Sequence, residues 1–351
     1  MYPKLFVNLK AIGENYLKIK KECETSRIEL IPVVKVVKGD ENIVRTLFSL
    51  GTNVIADSRI KNIFNYKDIN VKKFLLRSPS FSEIDSAVEL TDYSLETEMV
   101  TIEKIASSCR KTGKKHGVIV MVEVGELREG LMPEDVVPFV RKITSFSNIE
   151  FLGLGTNTTC FSGIIPNYKN LKVLYDLKLK IEEEGIKVKT LSGGGTNLLR
   201  MIWDKKIPDF INQIRVGEGI FLGVDAIKRE PLPGLRQDTF RLDAELIEVK
   251  KKPSLPWGEK TKDAFEEEVE FKDEGMMIRG IASIGRQDII LSGIKGNENI
   301  KIIGASSDHM VLNLNKLPSL KVGDIISFRL NYAGVLSSFT SPYVEKIYIE
   351  E

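Results

Sequence analysis

Ile31-Pro32-Val33-Val34-Lys35-Val36-Val37-Lys38-Gly39-Asp40 sets one lysine in an apolar, β-branched run. Its length and composition predict a buried strand with Lys35 near the end. Burial disfavours an ammonium ion, and a neutral amine there could hold a carbonyl as a Schiff base. The alternative is a strand-end lysine whose amine reaches water. A second group, Ser192-Gly193-Gly194-Gly195-Thr196-Asn197, follows an apolar run and precedes a helical one. Its glycines let backbone N–H groups curl round an anion, and Ser192 or Thr196 can donate from a hydroxyl, so the turn reads as a phosphate site or as a flexible turn. Arg215-Val216-Gly217-Glu218-Gly219 supplies a second glycine loop. In Gly125-Glu126-Leu127-Arg128-Glu129-Gly130 the arginine suits bidentate binding of a carboxylate, or a salt bridge to Glu126 or Glu129.

Eight apolar runs position these groups. After the Lys35 run come Asn53-Val54-Ile55-Ala56-Asp57, Phe74-Leu75-Leu76-Arg77, Tyr93-Ser94-Leu95, Val118-Ile119-Val120-Met121-Val122-Glu123, Ile149-Glu150-Phe151-Leu152-Gly153-Leu154, Ile186-Lys187-Val188-Lys189-Thr190-Leu191 and Ile214-Arg215-Val216. Helical segments separate them. A helix is predicted over 8–23 from Leu9, Ile12, Tyr16, Ile19 and Cys23, and another carries Leu174, Leu177 and Ile181 before Gly185. This alternation predicts a (β/α)8 barrel over 1–228, with chemistry at the C-terminal strand ends: Lys35, Arg128, Asn157, the 192–197 turn and Arg215. Two such loops, after the seventh and eighth strands, are where barrels commonly hold phosphate. After the linker Lys228-Arg229-Glu230-Pro231-Leu232-Pro233-Gly234, β-rich runs at 240–249, 277–284, 300–303, 310–314 and 324–330 predict an all-β domain over 236–351. The charged tract 250–274 reads as a long exposed excursion.

Composition narrows the partners. The chain has 351 residues, enough for two domains, and Lys+Arg 51 against Asp+Glu 49 leaves a net charge of +2. The charges are interleaved, so nucleic acid is not expected. No apolar run reaches the roughly 18 residues of a membrane span, and Met1-Tyr2-Pro3-Lys4 lacks a secretory apolar core, so a cytoplasmic protein is expected. Cys23, Cys109 and Cys160 are widely spaced and His116 and His309 are the only histidines, which argues against a disulfide framework and a metal site.

Taken in order, Pro32-Val33-Val34-Lys35, Gly125-x-x-Arg128-x-Gly130, Thr156-Asn157, Ser192-Gly193-Gly194-Gly195-Thr196 and Arg215-x-Gly217 resemble the alanine racemase family, pyridoxal phosphate (PLP) enzymes of fold-type III built of a barrel followed by a β domain. The runs Ala56-Asp57-Ser58-Arg59-Ile60, Lys252-Pro253-Ser254-Leu255-Pro256, Gly304-Ala305-Ser306-Ser307-Asp308-His309 and Thr340-Ser341-Pro342-Tyr343-Val344-Glu345-Lys346 resemble its branch acting on ornithine. The resemblance implies racemisation of a basic amino acid, ornithine first and lysine next, with alanine or broad lysine specificity as alternatives and a non-catalytic PLP-binding protein as a further one. It implies that Lys35 binds PLP as a Schiff base and moves the α-proton on one face. Ser192, Gly194, Gly195, Thr196 and Gly217 would cradle the phosphate, Arg215 would face the pyridine nitrogen, Asn157 would sit beside the ring, and Arg128 would help hold the substrate carboxylate. A homodimer is implied, the β domain of one chain completing the other's site.

Two departures stand out. Lys260-Thr261-Lys262-Asp263-Ala264-Phe265, where the family offers a tyrosine as second base, has none, and Val36-Val37-Lys38-Gly39 lacks its phosphate-binding tyrosine. Racemisation needs acid/base groups on both faces of the α-carbon, or one that reaches both. The resemblance places Asp308, His309 and Tyr343 as candidates for the second group, in that order, with Ser307 and Asp308 in the substrate-binding segment and Tyr343 alternatively a phosphate ligand or a core residue. Acidic partners for a cationic substrate side chain would be Asp288, Glu126 or Asp308. Related decarboxylases need a Cys-Asp pair in the β domain, and no cysteine follows Cys160; related aldolases and dehydratases need His/Cys metal ligands near the C-terminus, which are absent.

Overall fold

The computed structural model describes residues 1–268, 270–295 and 299–350. It divides into two compact units, Lys10–Gln237 and a second made of Met1–Leu9 with Asp238–Glu351. The opening residues thus belong with the later ones, because β1 (Lys4–Asn8), which the helical reading missed, pairs with strands of the second unit.

The larger unit is a parallel eight-stranded barrel: β2 (Glu29–Pro32), β3 (Val54–Asp57), β4 (Lys72–Leu75), β5 (Tyr93–Glu96), β6 (His116–Met121), β7 (Ile149–Gly155), β8 (Thr190–Ser192) and β9 (Gln213–Val216). β9 pairs with β2, and the ring closes where Val33 bridges Ala56. Ile31, Val33, Val54, Ala56, Phe74, Tyr93, Leu95, Ile119 and Met121 fill the interior, with Phe74 stacked on Tyr93 at 4.2 Å between centroids. Each of the larger aliphatic and phenyl side chains contributes roughly 1.5–3 kcal/mol through burial, which fixes the strands as a platform for the loops. The helix Leu9–Thr25 buries Ile12, Tyr16, Ile19 and Cys23, and Tyr168–Glu183 buries Leu174, Leu177 and Ile181, as their spacing requires.

Two strands are shorter than the apolar runs suggest. β2 stops at Pro32, and Lys35 opens a 3-10 turn, Lys35–Val37. The turn arises because Gly39 N–H folds back to Val34 O at 3.1 Å, with Gly39 at φ +61 where a Cβ would lie 2.5 Å from Asn62 O. Before β8, residues 186–189 are irregular, tied to β7 by Lys189 N–H to Leu152 O at 3.2 Å.

Between barrel and helices lies a buried polar group: Ser94 Oγ donates to Glu96 Oε1 at 2.5 Å and contacts His116 Nε2 at 2.9 Å. Burial pushes Glu96 up to about 7 and His116 down to about 4. The raised carboxyl adds stability that is complete below about 4.5 and lost as pH climbs through about 7; the lowered imidazole adds stability present above about 6.5 and lost as pH falls through about 4. The two slopes oppose each other in between. Glu96→Gln removes only the first, so its stability relative to the parent is expected to rise by about 3 kcal/mol between pH 4.5 and 7.5 in urea unfolding. A pH-independent difference would show that Glu96 titrates in the folded chain as it does in the unfolded one, with no upward shift.

The second unit is an eight-stranded sheet of β1, β10 (Phe240–Pro253), β11 (Met276–Ala282), β12 (Ile294–Lys295), β13 (Lys301–Ala305), β14 (Met310–Asn313), β15 (Ile325–Leu330) and β16 (Glu345–Ile349). It is not all-β. The helix Tyr332–Thr340 starts where Asn331 Oδ1 accepts the N–H groups of Ala333 and Gly334 at 2.9 and 3.3 Å. After β10 the described residues as far as 275 form no helix or strand and are largely exposed, Trp257 by 86%.

Candidate active site

The C-terminal ends of the barrel strands gather the sequence candidates. Lys35 lies half-buried just past β2; Val34 N–H donates to Ala56 O at 2.9 Å, and Asn65 Nδ2 to Lys38 O at 3.0 Å, pinning its turn on both sides. Asp40 Oδ1 accepts Ile43 N–H at 3.1 Å and starts the helix Glu41–Ser49 that closes this turn.

Arg215, on β9, is buried, and Nη2 donates to Thr156 O at 2.6 Å while Nη1 donates to Ser192 Oγ. Burial pushes it down to about 10, against the attraction of Glu129, so the guanidinium stays charged at neutral pH. Ser192 accepts from Arg215 and keeps its own hydrogen to donate.

The two glycine loops are knitted together. Arg215 N–H donates to Gly194 O at 2.8 Å, Gly219 N–H to Thr196 Oγ1 at 3.1 Å, and Gly195 N–H to Asn197 Oδ1 at 2.9 Å. A Cβ on Gly195 would lie 2.8 Å from Arg215 O, and one on Gly217 2.9 Å from Val33 O, so only glycine permits these approaches. Gly217 thereby packs the β9 loop against the end of β2, two residues before Lys35.

Asn157 follows β7, and its buried Nδ2 has no hydrogen-bond partner. Such a donor is costly unless something accepts from it. Arg128 pairs with Glu129, whose hydrogen bond is the main cause that holds its guanidinium above the usual value, with Cys160 adding to it. Of the two readings of Arg128, the salt bridge is therefore present.

Ser307, Asp308 and His309 are exposed in the β13–β14 turn of the second unit, where Asp308 Oδ1 meets His309 Nδ1 at 2.8 Å. That bond is the chief cause holding the Asp308 carboxyl below its usual value. Tyr343 is 64% exposed in the same unit, with its N–H on Ser341 Oγ at 3.1 Å. Among the described residues no His/Cys/Asp/Glu group could hold a metal, and no helix is long and apolar enough to cross a membrane.

The sequence model of the alanine racemase N-terminal domain matches residues 7–224. The chain belongs to the alanine racemase family. Among the relatives of this family member are the ornithine racemase of Acetoanaerobium sticklandii, 36% identical over 350 residues, and the lysine racemase of Thermotoga maritima, 37% identical over 352, each alignment covering 99% of both chains. Solved folds agree: an alanine racemase of Clostridium difficile 630 superposes with a TM-score of 0.77 at 17% identity, covering 100% of this chain and 96% of its own. One from Bartonella henselae with covalently bound pyridoxal phosphate gives 0.76 at 17% identity, covering 99% and 100%.

Two carboxylates suggested for a cationic substrate are occupied elsewhere in this family member. Asp288, buried in the second unit, accepts Ser341 Oγ at 3.0 Å and Gly285 N–H at 3.2 Å, and Glu126 is bound by backbone amides of the loop after β7. The reading of types and spacing placed Asn197 in the glycine turn without a role of its own. It locks Gly195 and donates Nδ2 to Thr158 Oγ1 at 2.7 Å. Its signal was present, an asparagine two residues after a glycine turn.

Proposed function

We propose that this protein is a PLP-dependent racemase of a basic amino acid, ornithine first and lysine next. What carries the reading is that Lys35, Asn157, the 192–196 turn, Arg215 and Gly217 all rise from the C-terminal ends of one closed barrel. The site fits the cofactor: the unpartnered Asn157 Nδ2 offers a donor to a ring oxygen, and Gly195 and Gly217, held against Arg215 O and Val33 O where a Cβ would clash, bring the two loops proposed for the phosphate together. When bound, PLP supplies the electron sink that makes an α-hydrogen acidic.

The chain's residues do the rest. Lys35 anchors the cofactor aldehyde and carries the proton at Nζ on one face of the α-carbon. Ser192, Gly194, Gly195, Thr196 and Gly217 bind the phosphate. Arg215, a buried cation fixed by Thr156 O and Ser192 Oγ, would hold the cofactor's pyridine side and, as a permanent cation, would disfavour a proton on the ring nitrogen, which suits racemisation over transamination. Arg128, steadied by Glu129, orients the substrate carboxylate. Asp308, His309 or Tyr343 serves the opposite face, with Ser307 Oγ donating to Asp308 Oδ1 at 3.2 Å; their exposure on the β unit suits groups that act on a partner copy in a homodimer.

Turnover of enantiopure ornithine, lysine and alanine, followed as loss of optical rotation, tests the assignment. Ornithine is expected fastest; alanine fastest would defeat the substrate choice, and a fully active monomer in sedimentation would defeat the shared site. Gly195→Ala, which drives a methyl against Arg215 O, is expected to weaken PLP binding about tenfold or more, the scale of one charge-assisted hydrogen bond, in an absorbance titration.

A further inference from the structure

We infer that Glu126 is a positioning residue for this site, its carboxylate clamping the loop after β7 to the loop after β6 so that Asn157 and Arg128 keep one register. Glu126 is only 2% exposed although it lies in an irregular loop. Its oxygens accept N–H groups from Thr159 at 2.9 Å, Ser162 at 3.1 Å, Ile164 at 3.4 Å and also Phe161, and Ser162 Oγ donates to its backbone oxygen at 2.5 Å. Burial by itself would raise the carboxyl; the four amides outweigh it and hold Glu126 below the usual carboxylate range. The anion is therefore kept in place by backbone dipoles rather than by solvent.

The clamped segment has few other ties. Phe161 and Ile165 are 74% and 59% exposed, and no helix or strand runs through 157–166. The segment is also held by Asn197 Nδ2, which reaches Thr158 O at 3.1 Å and Thr158 Oγ1 at 2.7 Å from the glycine turn, by Thr159 Oγ1 donating to Ile164 O at 2.8 Å, and by Arg128 at Cys160. Asn157 is thus positioned by the residues that follow it. Glu126's own loop is rigid: Glu123 carboxylate accepts the N–H groups of Gly125 and Leu127 at 2.5 and 2.9 Å, and Val122 bridges Leu131. Arg128 stands two residues beyond Glu126, so one side chain ties the group proposed for the substrate carboxylate to the group proposed for the cofactor ring. Glutamine cannot replace it, since an amide turns an N–H2 toward amide donors.

The inference rests on the proposed activity for its catalytic arm and is tested on the full chain with Glu126→Gln and Glu126→Asp. In cofactor-free protein, hydrogen exchange of the peptide covering 157–166 is expected to quicken about tenfold or more in Glu126→Gln, with other peptides unchanged and Glu126→Asp intermediate. With ornithine, kcat/KM is expected to fall about tenfold or more in Glu126→Gln, with recovery in Glu126→Asp, which retains the anion. Unaltered exchange would remove the clamp. Faster exchange with parental kcat and KM would show that the clamp has no bearing on the site. If the parent racemises none of the amino acids, the functional reading fails by itself, and the clamp is judged by exchange together with PLP affinity, expected about tenfold weaker in Glu126→Gln. Should Glu126→Gln fold poorly by circular dichroism, the intermediate values expected of Glu126→Asp decide the same question.

Discussion

Lys35→Ala is expected to lower racemisation by about a thousandfold or more and to leave no adduct between PLP and the chain after borohydride reduction. The size follows from losing together the two functions proposed for its amine, covalent anchorage and proton transfer at one face. No neighbour can take over. Lys38, the nearest lysine in sequence, is exposed and its carbonyl is held by Asn65, so it belongs to the outer side of the same turn. Lys38→Ala is accordingly expected to retain activity within about twofold, the ordinary result of a surface change. Loss of activity in both variants alike would mean that the turn, and not the Lys35 amine, is what matters.

Arg215→Met is expected to separate stability from chemistry. Burial destabilises the guanidinium, as its lowering to about 10 indicates, and methionine removes that penalty while filling much of the same space. Against this, Thr156 O and Ser192 Oγ lose their donor, at about 1–3 kcal/mol each. The terms are similar in size, so the urea midpoint is expected to move little. Racemisation is expected to fall at least a hundredfold, roughly the effect of deleting one preorganised electrostatic group in an active site. A large drop in stability with activity preserved per folded molecule would make Arg215 a structural cation only.

Much of this was legible in the sequence. The eight barrel runs could be found because strands buried on both faces are written as continuous Val/Ile/Leu stretches, and the glycine turns because close backbone approach excludes a Cβ, as at Gly195 and Gly217. What escaped depended on distant partners. β1 was not recognised, and its last residue, Asn8, was given to the helix predicted over 8–23, since the strands that complete it lie more than 200 residues later. The helix Tyr332–Thr340, with Ala333, Gly334 and a run of serines and threonine, has no clear apolar stripe and is set by its Asn331 cap. Lys35 leaves the strand because Gly39, four residues on, reverses the chain, a local signal outweighed by the valines around it. The carboxylate of Glu126 was read for its charge, and only tertiary structure shows that amides consume it.

The pairing of Lys4 with Glu345 in β1 and β16 also governs how a nascent chain matures. β1 has no strand partner until β10 has been made, more than 200 residues later, and its other edge waits for β16, whereas the barrel segment between them can collapse from contacts within itself. Closing so long a loop is slow, and the waiting edge is open to wrong partners. A change that weakens β1 would therefore act on the sheet and not on the barrel, whose contacts lie within residues 10–237.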